Sequence, residues 1–313
     1  LDLAHLNTES EFYGNAGSGV FTAGTATGML NLGAIGGELH VVCAGEVVND
    51  GVALTGSLKL VKEGAGTFVA AMKGQTYFGG TEVKDGLFAL FNDATKFSAD
   101  QQVLGLPGSI VRIETGAEVN LSGTKGLDAY PFELNGGRLG NWSFNGADYS
   151  DAEIGPVTLL ADSYLETPLN LVVRRGAIDL GGHTLYLAAA ADKRDGKKTT
   201  GYGYFYLDGT CTMVNGVLET TTMGGWFANR SAVRDLRSVE LKLRSALQID
   251  FDIQVNNLEL IYNSNYAEGD GNVLVNGVFT PSIFSVTSTG SAVGLTQMSL
   301  RGMSFESPPQ RMA

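Results

Sequence analysis

Three carboxylates that lie close together are the first residues in this sequence that could do chemistry. They are Asp148, Asp151 and Glu153, in the segment 147–153. Clustered carboxylates can serve as acid and base on a glycosidic bond, so one hypothesis is a carbohydrate-active enzyme, a polysaccharide lyase or hydrolase. The simpler interpretation is a polar loop, and we predict no catalytic residue in this segment.

Histidines are the next candidates, because imidazole is both a general base and a metal ligand. The chain has three, and His40 and His183 lie inside strand-like runs, which favours outward-facing strand positions. The sequence contains no GxSxG elbow, HExxH helix or Walker loop. Glu268 and Asp270 could bind calcium, but a turn is the better interpretation. The sequence therefore predicts no metal site and no cofactor.

Three aromatic residues could bind a glycan by stacking on its sugar rings. Trp142, Trp226 and Phe227 lie in surroundings rich in Gly and Asn. Exposed rings would indicate a glycan- or host-binding adhesin. Rings packed beneath a loop would only cover the flank of the fold, and we favour this second interpretation.

The composition of the chain narrows the classes of protein to which it can belong. The 313 residues include 21 Lys plus Arg and 33 Asp plus Glu, for a formal net charge of −12. Binding of nucleic acid needs clustered basic residues to neutralise phosphates, so this balance argues against a nucleic-acid partner. No apolar run reaches the roughly 18 residues that a membrane span requires, so we expect no membrane insertion. Cys43 and Cys211 are interpreted as small buried residues, with a disulfide between them left open.

Glycine is the strongest signal: the chain has 43 glycines and 7 prolines, and hydrophobic residues make up 43%. This balance indicates short strands joined by tight turns that need positive φ. One pattern occurs at 83–90, as Val-Lys-Asp-Gly-Leu-Phe-Ala-Leu, and again at 173–180, as Val-Arg-Arg-Gly-Ala-Ile-Asp-Leu. The apolar positions on the two sides of the glycine are an odd number of residues apart, which a single strand with period two does not allow.

Each copy of the pattern therefore predicts a strand, a corner and a second strand. We expect positive φ at the two corner glycines, Gly86 and Gly176. The side chains that follow each corner should point inward: Phe88, Leu90, Ile178 and Leu180.

Antiparallel sandwiches and parallel solenoids both use many such corners. Recurrence of one motif at irregular intervals along the chain favours the solenoid, since coils absorb loop insertions without losing their stacking. We predict an all-β, right-handed parallel β-solenoid, a single domain over 1–313, with insertions around 91–105, 189–204 and 222–237. A partial cap at 1–14 and the pair Pro308-Pro309 predict a monomer.

Residues 56–90 resemble the autotransporter-associated β-strand repeat of bacterial autotransporter passengers. The family pattern is Lys-x-Gly-x-Gly-Thr-Leu, then Asn-Thr-Tyr-x-Gly-x-Thr-x-Val, then Gly-x-Leu-x-Leu. The matching residues are Lys62, Gly64, Gly66 and Thr67; then Thr76, Tyr77, Gly79, Thr81 and Val83; then Gly86, Phe88 and Leu90. Phe68 replaces the usual Leu, Gln75 replaces Asn, and the spacing between the first two blocks is one residue longer.

The resemblance covers about a tenth of the chain and implies a β-helical passenger region whose repeat serves secretion and folding of the passenger. From it we expect a structural stalk or scaffold module of a longer exported protein, located outside the cell or on the bacterial surface. An adhesive role, with a glycan or a host surface as partner, stays open.

Overall fold

The computed structural model describes 28–31, 37–49, 52–71, 73–90, 102–142, 151–167, 169–188, 204–220, 226–229, 231–232, 235–243, 248–249, 254–263, 274–275 and 283–289. Every regular element in these ranges is a β-strand, and they contain no helix. The strands are numbered β1 to β28 in chain order. They wind into coils that stack along one axis.

The first sheet takes one strand from each of eight consecutive coils. Its strands are β2 (Gly37–Val42), β5 (Leu58–Glu63), β8 (Thr81–Val83), β10 (Val111–Glu114), β12 (Phe132–Asn135), β15 (Val157–Ala161), β18 (Ala177–Asp179) and β21 (Thr212–Val214). Apolar and polar residues alternate in β10 and β12, as expected of strands with one buried face.

The second sheet follows the first around a corner and is eleven strands deep. Its strands are β3 (Glu46–Asn49), β6 (Thr67–Ala70), β9 (Gly86–Leu90), β11 (Ala117–Asn120), β13 (Arg138–Gly140), β16 (Ser163–Glu166), β19 (Thr184–Ala188), β22 (Gly216–Thr220), β24 (Asp235–Leu243), β26 (Gln254–Asn263) and β28 (Ile283–Thr289).

The third side of the coils is formed by smaller sheets. The early coils contribute β1 (Gly28–Asn31), β4 (Val52–Gly56) and β7 (Thr76–Tyr77), and the later coils contribute β14 (Ala152–Ile154), β17 (Leu171–Val173), β20 (Tyr204–Leu207) and β23 (Trp226–Asn229). A further pair joins β25 (Gln248–Ile249) and β27 (Leu274–Val275).

Every pairing between these strands is parallel. Strands that neighbour each other within a sheet come from successive coils, which is the topology of a parallel β-solenoid. The predicted all-β parallel solenoid is therefore confirmed. Its right-handed sense stays a prediction, in line with the general preference of parallel crossovers.

The interior of the solenoid is filled by one continuous cluster of buried apolar side chains, from Leu39 to Leu241. Equivalent inward positions of the second sheet form a column with no member more than 5% exposed: Val47, Phe68, Phe88, Val119, Leu139, Leu165 and Leu187. Phe88, Leu90, Ile178 and Leu180 are all buried, as the pattern predicted. Because equivalent positions of successive coils carry apolar side chains, the core is similar from coil to coil.

The two best copies of the sequence pattern occupy different corners of the coil. Gly86 lies between the first and second sheets, whereas Gly176 lies between the third side and the first sheet. Both have the predicted positive φ, +65° and +89°. The pattern thus specifies a corner but not which corner.

One predicted insertion was partly wrong. The range 222–237 contains β23, which pairs with β20, and the first residues of β24, which pairs with β22 and β26. Strand pairing outweighed the Gly-rich composition that suggested a loop. Several other expectations fall on positions outside the described residues: the cap at 1–14, Asp148, Glu268, Asp270 and the Pro308-Pro309 pair.

Candidate functional site

The corner between the first and second sheets carries the first block of residues that resemble the autotransporter-associated repeat, Lys62 to Thr67. Gly64 has φ +77°, and a Cβ there would come within 2.6 Å of the carbonyl oxygen of Cys43 in the preceding coil. A side chain at Gly66 would overlap the carbonyl oxygen of Gly45. The amides of Gly66 and Thr67 donate to the carbonyls of Cys43 and Gly45, both at 2.8 Å. The close approach of stacked backbones therefore requires these glycines.

Lys62 is the most unusual residue of this corner because its side chain points into the solenoid and is fully buried. Its ammonium donates to the carbonyl oxygens of Gly64, of Gly66 at 2.7 Å and of Asp85 at 2.5 Å. An ammonium has three N–H donors, so these three carbonyls satisfy it. Asp85 belongs to the next coil, and Lys62 therefore ties two successive coils together from inside. We call this arrangement the lysine cage.

The two cysteines are buried and free. Burial raises the pKa of the Cys43 thiol to about 11 against the opposing effect of the nearby Lys62 charge, and burial raises that of Cys211 to about 12. The thiolate is the reactive form of cysteine, so both side chains are protonated and unreactive near neutral pH. This confirms their interpretation as small buried residues, and the disulfide left open from the sequence is not formed.

The second block of the matching residues lines the corner between the third side and the first sheet. The Tyr77 side chain is completely buried, its hydroxyl lies 2.6 Å from the hydroxyl of Thr81, and burial raises its pKa. The Gly79 amide donates to the Leu58 carbonyl at 2.9 Å. Thr76 pairs in register with the preceding coil. These residues hold the coil in place and leave no reactive group exposed among them.

Two of the three carboxylates that suggested an enzyme, Asp151 and Glu153, have partners in the structure. The Asp151 carboxylate accepts from the side-chain amide of Asn170 at 2.8 Å. Glu153 lies 3.1 Å from the Arg174 guanidinium, which also contacts Asp208 at 2.9 Å. Arg174 thus lies between Glu153 and Asp208, and Asp151 is bound to an amide. Within the described part of the chain, no group of His, Cys, Asp and Glu could hold a metal ion.

Two of the three aromatic residues considered for glycan stacking, Trp142 and Phe227, are buried. Trp142 is 6% exposed, packs on Leu87 and donates from its indole N–H to Glu118 at 2.6 Å. Phe227 is 1% exposed and faces the Phe205 ring, with centroids 6.0 Å apart. Neither ring offers a free face to a sugar, because protein packing covers both. Trp226 begins β23, and its side chain lies outside the description.

An aromatic column on the outer face of the second sheet was missed from the sequence. The rings of Tyr164 and Tyr186 stack with centroids 5.1 Å apart, and the guanidinium of Arg138 lies 4.8 Å from the Tyr164 ring centroid. The three residues occupy equivalent positions in successive coils. Their unequal separations in the sequence left no periodic signal that could have revealed them.

The outer face of the first sheet carries a ladder of ion pairs across its first five strands. Lys59 bridges Glu38 at 3.1 Å and Glu82 at 2.5 Å, and Arg112 continues the ladder to Glu114 and Glu133. The hydrogen bond and charge of Lys59 lower the pKa of Glu38, and carboxylate partners raise the pKa of Lys59. This face is polar and its charges are paired, as expected of a surface in contact with water.

No protein family profile, no curated protein and no solved structure matches the chain. The class of protein is therefore defined by the structure itself, which is a parallel β-solenoid with a lysine cage at one corner. In the described ranges, no helix is long and apolar enough to cross a membrane.

Proposed function

We propose that this chain is a rigid structural module, a stalk or scaffold within a longer exported protein. The observation that carries the proposal is the unbroken second sheet, eleven parallel strands deep over a packed interior. At about 4.8 Å per strand, such a sheet is roughly 48 Å long. A rod of this kind holds whatever is attached to its two ends at a set distance.

The location of the module rests on the repeat resemblance at 56–90. The proposed location is the bacterial surface or the extracellular space. The described residues of 56–90 support a structural role for that segment. Lys62, Gly64, Gly66 and Gly86 form the lysine cage and its corner. None of them is available for chemistry, because side chains or stacked backbone enclose them.

The rod can be tested by small-angle X-ray scattering on the full chain, compared with a variant that lacks one coil. Deleting 111–131, one repeat from β10 to the residue before β12, should shorten the particle by about 4.8 Å and leave its cross-section unchanged. A variant that folds with an altered cross-section or unaltered length would contradict the proposal. The location is tested separately by labelling intact source cells with an antibody to the chain. Labelling only after lysis would contradict export.

The enzyme alternative has a direct assay. Glu153 is held by Arg174, and Asp151 by Asn170, which supports a structural role for these acids. We expect no release of reducing ends or unsaturated products from a panel of acidic and neutral polysaccharides. Activity that disappears in Glu153→Gln but survives in Glu133→Gln, an acid of the ion-pair ladder, would overturn the structural proposal.

A further inference from the structure

Tyr164 and Tyr186 form a stacked pair of phenol rings on the outer face of the second sheet. Tyr164 lies on β16 and Tyr186 on β19, and the two residues are register partners in successive coils. Their ring centroids are 5.1 Å apart, and the ring planes differ by 25°. Leu165 and Leu187, the next residue in each strand, are buried in the core, so the two tyrosines project from the opposite, outer face.

The accessibility of the pair distinguishes it from other tyrosines of the chain. Tyr164 and Tyr186 are half-buried, whereas Tyr77, Tyr130 and Tyr206 are buried. An oxidant in the surrounding water therefore has access to the stacked pair and not to the three buried rings. Side chains at the surface change rotamer within picoseconds to nanoseconds, so the two rings are free to turn out of their stacked arrangement.

The neighbours of the pair along the sheet leave each ring one adjacent phenol. The register partner of Tyr164 in the preceding coil is Arg138, whose guanidinium lies 4.8 Å from the centroid of the Tyr164 ring. Arg138 is itself held by an ion pair with Glu166. On the other side, Tyr186 is paired in register with Glu219. Neither a guanidinium nor a carboxylate couples with a tyrosyl radical, so each ring has the other tyrosine as its neighbouring reaction partner.

We propose that Tyr164 and Tyr186 are a site of oxidative cross-linking, at which a haem peroxidase with hydrogen peroxide joins the two rings as dityrosine. Each phenol gives up one electron and its hydroxyl proton, and the two tyrosyl radicals form one C–C bond between ring carbons ortho to the hydroxyls. Each joined carbon then loses its hydrogen as a proton, and each oxygen regains one. In total two C–H bonds break, and the two electrons and two protons released reduce one hydrogen peroxide to two waters.

The parallel register of the sheet brings the reacting carbons to the same side of the pair. Register partners in a parallel sheet point the same way, so the hydroxyl ends of the two stacked rings project together from the face. The rings turn from stacked toward edge to edge as the bond forms, which their partial exposure allows. The product ties two successive coils of the rod together covalently, in addition to the backbone pairing of β16 with β19.

The test is treatment of the purified full chain with a haem peroxidase and hydrogen peroxide, followed by proteolysis and mass spectrometry. We expect a linked peptide that contains Tyr164 and Tyr186 and weighs two hydrogens less than the sum of its parts. Tyr164→Phe and Tyr186→Phe keep the ring but remove the phenol, so each variant should lose this peptide. Tyr206→Phe, which removes a buried phenol, is the matched control and should retain it.

An isotope-mixing experiment separates a link within one molecule from a link between two molecules. In an equal mixture of labelled and unlabelled chain, both halves of the linked peptide should carry the same label. Halves of mixed label would place the coupling between molecules and overturn the proposal. Free tyrosine, which forms dityrosine under these conditions, is the positive control for the oxidant. Absence of the Tyr164–Tyr186 peptide from the wild-type chain in that reaction would also overturn the proposal.

Discussion

Residues 83–90 and 173–180 share one sequence pattern and one backbone turn, yet their glycines meet different neighbours. A Cβ at Gly86 would come within 2.5 Å of the Gly66 carbonyl oxygen and of the Lys62 ammonium. A Cβ at Gly176 would instead meet the ring of Pro156 at 2.6 Å. The first corner is closed around a buried charge, and the second is packed against a side chain.

The charged residues of the two corners differ in the same way. Lys62 is fully buried inside the first corner, whereas Arg174 lies on the surface of the second with Glu153 and Asp208 as partners. A local pattern therefore determines that the chain turns. Contacts with the stacked coil determine how much stability is lost when that turn is altered. Four predictions would break or sharpen this account.

The largest effect is expected at the lysine cage. Lys62→Met keeps most of the side-chain volume but removes a donor from three carbonyls, of which that of Gly66 keeps the Leu87 amide at 3.1 Å. The carbonyls of Gly64 and Asp85 lose the Lys62 donor, and an unsatisfied buried group costs about 1–3 kcal/mol, so we expect a loss of roughly 2–6 kcal/mol in the free energy of unfolding. The matched variant Arg174→Met should lose about 1 kcal/mol or less, as exposed ion pairs do. Urea denaturation measures both, and equal losses would contradict the difference between the corners.

The residues that follow the two corners should behave alike. Leu90 and Leu180 are 1% and 0% exposed, four residues after their glycines. Leu→Ala at either position should cost about 2–5 kcal/mol, because each opens a cavity in the same continuous core. Leu160, which is 40% exposed on the first sheet, is the control and should lose much less. A small loss at only one of the two buried positions would show that the core is not uniform.

The corner glycines themselves should separate the two environments. Both have positive φ, so alanine is strained at either position by about 1–3 kcal/mol. At Gly86 the new Cβ also meets backbone oxygens that cannot move apart without unstacking the coils. We expect Gly86→Ala to exceed Gly176→Ala by about 1 kcal/mol or more. Thermal and urea unfolding of the two variants would test the order, and the reverse order would refute this account.

The smallest effect is expected on the ion-pair ladder. In Lys59→Gln the pKa of Glu38 should rise toward its ordinary value, because its main partner is removed. A lowered pKa in the folded chain gives stability that is present above the ordinary glutamate pKa, about 4.3, and is lost as the pH falls through the lowered value. Nuclear magnetic resonance titration of Glu38 measures the shift. An unchanged titration curve would show that the pair is not formed in solution.

Much of the fold could be predicted because glycine placement and apolar parity are local signals. Gly86 and Gly176 were recognised as corners, and Phe88 and Ile178 as interior residues, from eight residues each. The strands at 226–229 and 235–243 were not recognised. These strands pair with β20 and β22. The loop-like composition around Trp226 gave no reason to connect this segment with those earlier strands.

The candidate site was predicted only in part, for a related reason. Lys62 stood out by its resemblance to the repeat, and it shares strand parity with the interior residues Leu58 and Leu60, so its inward direction could be derived locally. Its third acceptor, Asp85, lies 23 residues further along the chain, and the Tyr164–Tyr186 pair is likewise made across coils.

At the corners that carry the glycine pattern, the sequence alone determines where this chain turns and which side chains enter its core, because both depend on neighbours within a few residues. Which corner each turn forms, and which groups meet across the stack, was decided only by the tertiary structure. Coils of unequal length bring residues together by backbone pairing between strands, and that register is a property of the whole stack. The lysine cage and the hydrogen bond from Trp142 to Glu118 both belong to this second group.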